Sequence, residues 1–312
     1  MQFGKYQFKC TLQKDAHFPP YKGSTFRGGF GHALKKVSCT VRHGECVRCL
    51  LVERCLYART FENTNSKNQT AGRIAQPPRP YIIQPPHETK CHYLKGDSFD
   101  FTLILFGETN EYLPYFVYAL ETMGTSGLGK KIDGQRATYT LDLVELQGQQ
   151  VYSSIDQQLA TDIRNLDLQL PPPSPVENEG DLSLILKTPL RLKFDNHLQA
   201  KLPFSLLVRA MLRRVSSLFE TYGTGEPELD YRGLVERAKK IEIVQDDLHW
   251  FDWQRYSNRQ EEKMLMGGMI GSAAYQGQIG EFIPLLTLCR ELHLGKQTAF
   301  GLGQIDFQWQ SA

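Results

Sequence analysis

An α+β fold in two similar halves is what the sequence predicts, and three observations predict it. Strand-like alternation of apolar and polar residues recurs at residues 6–12, 99–105 and 137–146 and in the last residues up to Trp309. Two stretches with an apolar helical face, near 24–37 and 203–222, each follow the first strand of a half. Between the halves, PPPSPVENEGD (residues 171–181) has no periodicity and reads as an interdomain linker. A length of 312 residues suits two domains of ordinary size, or one large one. The expected domains are 1–160 and 180–312.

The elements follow in chain order. Tyr6, Phe8, Cys10 and Leu12 alternate as a strand, and a loop with His17, Pro19 and Pro20 comes after it. Ser24 or Thr25 is a candidate N-cap for the first helix. Its apolar residues Phe26, Phe30, Ala33, Leu34 and Val37 keep a helical spacing. A cysteine-rich insert over about 39–55 comes next, and QPPRPYIIQPP then reads as loop or extended chain. Phe99, Phe101, Leu103 and Leu105 alternate again. Pro114 suits the first residue of a second helix, with Gly124 closing it. GTSGLGKK, residues 124–131, is a Gly-rich turn ending in Lys130 and Lys131.

In the second half, DLSLILKTPLRLK is a strand that breaks near Pro189. Pro203 opens a long helix with Phe204, Leu207, Met211, Leu212, Val215, Leu218, Phe219 and Tyr222 on one face. Residues 241–275 hold strand or hairpin candidates, and the apolar 281–293 is ambiguous between helix and strand. HLGKQTAFGLGQ is a second Gly-rich loop, and GQIDFQW is a last strand. Each half can be written as a β-α-β-β-α-β ferredoxin-like unit.

Composition narrows the class. Hydrophobic residues are 41% and charged residues 22%. That excludes a disordered chain, a collagen or a coiled coil. No apolar run approaches the ~20 residues that span a bilayer, and the N-terminus has no signal-peptide pattern. The expected location is cytoplasmic, with no membrane partner. A net charge of +2 gives no bulk sign of nucleic-acid binding, so any such function must rest on local clusters.

Four of the seven cysteines crowd together: Cys39, Cys46, Cys49 and Cys55 read C-x6-C-x2-C-x5-C. In a reducing compartment this spacing points to a structural metal or to free thiols. Four thiolates suit tetrahedral zinc, and an iron–sulfur cluster is the less favoured alternative. Four cysteines leave no open position for a catalytic metal.

Three further features bear on chemistry. On the first helix His32 falls opposite the aromatic face, flanked by Gly28, Lys35 and Lys36. This is a phosphate site with an acid–base group in it, or a solvated helix face. The loop Gly295 to Gly303 lacks the Walker A and Rossmann patterns. It is a phosphate cradle with Lys296, or a tight turn whose glycines supply positive φ. Arg209 and Arg213 are four apart on the polar face of the second-domain helix. Arg255, Arg259 and Lys263 repeat that spacing near Trp250, Trp253 and Tyr256. They suit RNA phosphates and base stacking, or a helix laced with salt bridges to Glu261 and Glu262.

These motifs carry a resemblance. FRGGFGHALKKVSC with the cysteine segment, YLPYFVYALETMGTSGLGK, TPLRLK, RYSNRQ and HLGKQTAFGLGQ occur in the order found in the CRISPR-associated pre-crRNA processing endoribonucleases of the RAMP superfamily. The sequence resembles that family over almost its whole length. The resemblance implies two tandem ferredoxin-like, RRM-like domains. It implies cleavage of CRISPR repeat RNA without a catalytic metal: a 2′-hydroxyl attacks the adjacent phosphate, leaving a 2′,3′-cyclic phosphate and a 5′-hydroxyl. A histidine near the first helix serves as acid or base, with His32 the first choice and His43 the second. Lys35 or Lys36 would stabilise the phosphorane, and Tyr21 would orient the nucleophile. RNA contacts are expected from Gly295, Lys296, Thr298, Phe300, Gly301 and Gly303, from Arg209, Arg213, Arg255 and Arg259, and from Lys130 and Lys131. The implied partners are repeat RNA, crRNA and subunits of a CRISPR effector complex. The alternatives are a non-catalytic crRNA-binding subunit of such a complex, or a zinc-dependent structural protein.

Overall fold

The computed structural model describes residues 1–41, 45–62, 77–171, 179–193, 197–257 and 262–311, with the side chains of 254–257 and 262–265 outside that set. The chain divides into two compact units: Met1–Asp167 with Thr221–Gly223, and Leu168–Glu220 with Thr224–Ala312.

The first unit contains β1 (Gln2–Leu12), β2 (Ala16–His17), α1 (Gly23–Ser38), β3 (Tyr81–Gln84), β4 (His92–Tyr93) and β5 (Ser98–Phe106). It continues with α2 (Leu113–Ser126), β6 (Leu128–Ile132), β7 (Gln135–Ala137), β8 (Tyr139–Leu146), β9 (Gln149–Ser153) and β10 (Leu166–Asp167). The main sheet runs β3-β5-β1-β8-β9, all antiparallel. Taking β1, β3, β5 and β8 as the four strands of a β-α-β-β-α-β unit, their order is 2-3-1-4, the ferredoxin-like arrangement.

Burial explains the pairing of this sheet with its helices. Phe3, Tyr6, Phe8, Cys10 and Leu12 of β1 are all buried. Phe26 of α1 stands 5.1 Å from Phe101, and Phe30 stands 5.8 Å from Phe116 of α2. Each such aromatic is worth about 1.5–3 kcal/mol when fully buried. That fixes the rotation of α1 about its axis.

Two helix ends differ from the sequence expectation. The N-cap of α1 is Lys22, so Ser24 and Thr25 lie inside the first turn. The Lys22 side chain makes no capping hydrogen bond; its buried amine donates instead to the Glu88 carbonyl at 2.5 Å and anchors this end. Gly124 does not close α2. A Cβ there would stand 2.5 Å from the Tyr139 carbonyl oxygen, so this glycine serves the close approach of helix to β8. The helix ends one turn later, with Gly127 at φ 83° as its C-cap.

The second unit contains β11 (Glu179–Leu190), α3 (Phe204–Tyr222), α4 (Tyr231–Ala238), β12 (Glu242–Asp246), β13 (His249–Ser257), β14 (Glu262–Gln278), α5 (Ile283–Leu292) and β15 (Ile305–Ser311). Its sheet runs β12-β14-β11-β15, again 2-3-1-4 and antiparallel, with β13 paired to the first half of β14. The segment 281–293 resolves as helix: Leu285, Leu286, Leu288, Cys289 and Leu292 are buried on one face of α5. The spacing of four at Arg255, Arg259 and Lys263 does not mark a helix. Arg255 and Lys263 lie on the two strands of a hairpin, opposite Met264 and Tyr256 respectively. Alternation among the aromatics prevails there, with Phe251 and Trp253 stacked at 5.8 Å on one face. Arg259 lies outside the described residues.

Candidate active site and nucleic-acid interface

Packing of α1 leaves one side of the helix to water. Phe26, Phe30, Ala33 and Leu34 are buried, while Gly28, His32 and Lys36 are exposed. A Cβ added at Gly28 would meet nothing within 4 Å, so the surface beside His32 is open to a bulky ligand. Lys35 is half-buried, and its ammonium lies 5.6 Å from the Tyr57 ring centroid. Lys35 and Lys36 also occupy the last turn, where a cation complements the helix dipole. The arrangement offers an imidazole within hydrogen-bonding reach of solvent, and ammonium charge on the same helix. Such a set can hold an anion and move a proton.

Tyr21 precedes this helix, and burial pushes its phenol well above the ordinary value. It therefore stays protonated at neutral pH and can act as a hydrogen-bond donor, not as a base. Burial also lowers the Lys22 amine. His43 lies outside the described residues.

The second Gly-rich loop is tied to the end of β11. The Leu294 amide donates to the Gly303 carbonyl, the Lys296 amide to Arg191, and the Gly303 amide to Pro189. The Thr188 hydroxyl donates to the Gly301 carbonyl at 2.8 Å. Gly295, Gly301 and Gly303 all have φ near +80°, from 76° to 82°. The amides of Leu294, Lys296 and Gly303 thus close the loop on its own framework. The side chains of Thr298 and Phe300 are buried, and Gly301 and Gly303 are buried with them. Of the six loop residues expected to touch RNA, Lys296 alone presents an exposed side chain. Thr298 and Phe300 pack inward.

Arg209 and Arg213 are exposed on one side of α3, and Lys130 and Lys131 are exposed on β6. Arg255 lies on β13, its side chain outside the description. Two residues went unread in the sequence. Arg214, inside an apolar stripe, is buried and gives two hydrogen bonds, 3.0 and 2.9 Å, to the Leu292 carbonyl at the end of α5. His293 is fully buried at φ 54°, with Nδ1 3.0 Å from the Leu302 carbonyl. Neither has a periodicity signal, because each acts on a partner far along the chain or round a loop.

Cys39, Cys46, Cys49 and Cys55 are free, half-buried thiols. Burial raises Cys46, with lesser contributions from Glu62, Cys55 and Cys39 nearby and an opposing one from Lys35. The Cys49 amide donates to the Cys46 carbonyl at 3.2 Å, closing a tight turn. Among the described residues, however, no group of three or more His, Cys, Asp or Glu side chains is gathered closely enough to hold an ion. The four sulfurs thus do not form a closed ligand sphere. No helix among the described residues is long and apolar enough to cross a membrane.

Comparison with known proteins gives the family and the fold. Residues 1–164 match the AF_1859_N family model, described as an N-terminal domain, and residues 184–305 match the model of the CRISPR-associated endoribonuclease Cas6. An uncharacterized protein of Archaeoglobus fulgidus is 27% identical over 297 residues, spanning 92% of this chain and 91% of that one. A partial Cas6-RT-Cas1–Cas2 complex matches 99% of this chain with a TM-score of 0.58 at 14% identity; the chain spans 46% of the length of its counterpart there. Thermus thermophilus Cas6 matches 98% of both chains, with a TM-score of 0.53 at 11% identity. A Cas6 product complex has the same TM-score at 14% identity and covers 98% of this chain and all of that one.

Proposed function

From a chain that belongs to the AF_1859_N family and is a CRISPR Cas6-like protein, we propose an endoribonuclease that cuts CRISPR repeat RNA to crRNA by 2′-hydroxyl attack. The observation that carries this reading is the exposed imidazole of His32 on the water side of α1, with Lys35 and Lys36 a turn away. Attack by the 2′-oxygen requires a proton to leave it, and departure of the 5′-oxygen requires a proton to arrive. His32 exchanges one of these protons. Histidine is the side chain whose unperturbed pKa lies closest to neutral pH. Lys35 and Lys36 face the charge that builds on the phosphorane. The products are a 2′,3′-cyclic phosphate and a 5′-hydroxyl, and no step passes through a metal ion.

Lys296, Arg209, Arg213, Lys130 and Lys131 hold the RNA backbone in this reading. Each offers a cation to phosphate without reading sequence. The partners are repeat RNA, crRNA and other CRISPR proteins, and the compartment is the cytoplasm. Zinc on Cys39, Cys46, Cys49 and Cys55 belongs to the same proposal as a structural ion. Its support is the spacing of the four cysteines in the sequence, C-x6-C-x2-C-x5-C. Incubation of purified protein with the repeat RNA of its own locus tests the function. Site-specific cuts by the wild type, slowed by about 10²–10⁴ in His32→Ala, support it. Binding without cutting by the wild type turns the reading to the crRNA-binding subunit.

A further inference from the structure

Two histidines outside the proposed reaction meet on the solvent side of the first unit. β2 and β4 form a two-stranded antiparallel ribbon in which His17 stands directly opposite His92. Their chain neighbours Ala16, Phe18 and Tyr93 are buried, with the Phe18 and Tyr93 rings 5.5 Å apart. Strand alternation therefore turns both imidazoles outward, His92 exposed and His17 half-buried. The two Nδ1 atoms are 3.2 Å apart and the ring centroids 4.3 Å. The Phe18 amide donates to the Cys91 carbonyl at 2.8 Å, which holds the ribbon beside the pair.

Two imidazole nitrogens at this separation share either a proton or a metal ion. We propose that His17 and His92 form a two-histidine chelate for a late first-row divalent ion of the Ni²⁺, Cu²⁺ and Zn²⁺ class, with water completing the shell. Zinc–nitrogen bonds of about 2.0–2.1 Å in a tetrahedral shell set two ligating nitrogens about 3.3 Å apart. The observed 3.2 Å asks for almost no movement. Cross-strand pairing fixes both Cα atoms, so little freedom is lost when the ion arrives. Imidazole suits these ions, whereas Mg²⁺ and Ca²⁺ take oxygen ligands.

The neighbouring groups leave the pair as a two-ligand site. The Cys91 thiol turns to the Thr89 carbonyl at 3.4 Å. Glu88 accepts from the Tyr93 hydroxyl, Asp97 from Lys90, and Asp15 from the Lys95 amide. The site also has a structural consequence. A Cβ at Gly129 would stand 2.7 Å from the His17 carbonyl oxygen, so the β6–β7 hairpin with Lys130 and Lys131 rests on β2. An ion on the pair ties β4 to the strand that supports this hairpin and adds positive charge beside it.

Thermal unfolding of the full chain, stripped with EDTA and exchanged into Ni²⁺ alone, tests the chelate. At about tenfold excess over Kd the wild-type Tm rises by about 2–4 °C. His17→Asn and His92→Asn each abolish that rise, and Mg²⁺ produces none. Circular dichroism in EDTA checks that both variants fold; His92 is exposed, so at least that variant keeps the wild-type Tm without metal. Absence of a Ni²⁺ shift in the wild type overturns the proposal. So does a wild-type shift in either variant, which is also what Ni²⁺ bound by the Cys39–Cys55 segment would give.

Discussion

His32 reaches water because Phe26 and Phe30 take the other side of α1, and that division was legible from spacing alone. A positioned acid–base group typically supplies about 10²–10⁴ in rate. His32→Ala is therefore expected to slow cleavage by about that factor while repeat-RNA affinity stays within a few-fold, measured by single-turnover kinetics and filter binding. Normal cutting by His32→Ala together with loss in His43→Ala would transfer the role to the second histidine. Arg214 was not legible, since a lone arginine in an apolar stripe gives no sign of its distant acceptor. Its removal strands the Leu292 carbonyl in a buried setting. Arg214→Met should cost about 1–3 kcal/mol in urea unfolding, and a cost near zero would mean that the carbonyl finds another donor. The His17–His92 pair was hidden for the same reason: 75 residues separate its members.

At the scale of elements, strands and long amphipathic helices could be read, and their ends could not. Gly124 looks like a helix stop in the sequence, yet its lack of a side chain serves packing against Tyr139. The apolar run 281–293 is dense enough to read as helix or strand in the sequence, and the burial of Leu285, Leu286, Leu288, Cys289 and Leu292 on one face goes with its being α5. The loop from Gly295 to Gly303 was recognised as a turn, but the direction of its amides depends on the end of β11. At Gly303, with φ 76°, an added Cβ would stand 1.8 Å from the Leu294 carbonyl oxygen. Gly303→Ala should destabilise the second unit by at least about 1–3 kcal/mol, read as a lower urea midpoint. Lys296→Ala should leave stability alone and reduce the slope of log affinity against log salt by about one. An unchanged slope would take Lys296 out of the RNA interface. For the insert, metal analysis should find one zinc per chain, lost in Cys46→Ser; a metal-free wild type would leave four free thiols.

For the whole molecule, two units with the same 2-3-1-4 strand order form a tandem ferredoxin-like chain. Their similarity could be read because each half repeats the strand–helix–strand pattern around a Pro-rich break. The reaction could not be read from that pattern, since a fold accommodates many chemistries; it rests on the α1 face and the family. The central claim is that this chain cleaves repeat RNA by internal attack with its own side chains. The most direct measurement is cleavage of the cognate repeat RNA in EDTA, with both product ends mapped. The account predicts cutting at one position, a 2′,3′-cyclic phosphate on the upstream fragment and a 5′-hydroxyl on the downstream one. A 3′-hydroxyl with a 5′-phosphate, or cutting that stops in EDTA and returns with Mg²⁺, would contradict it.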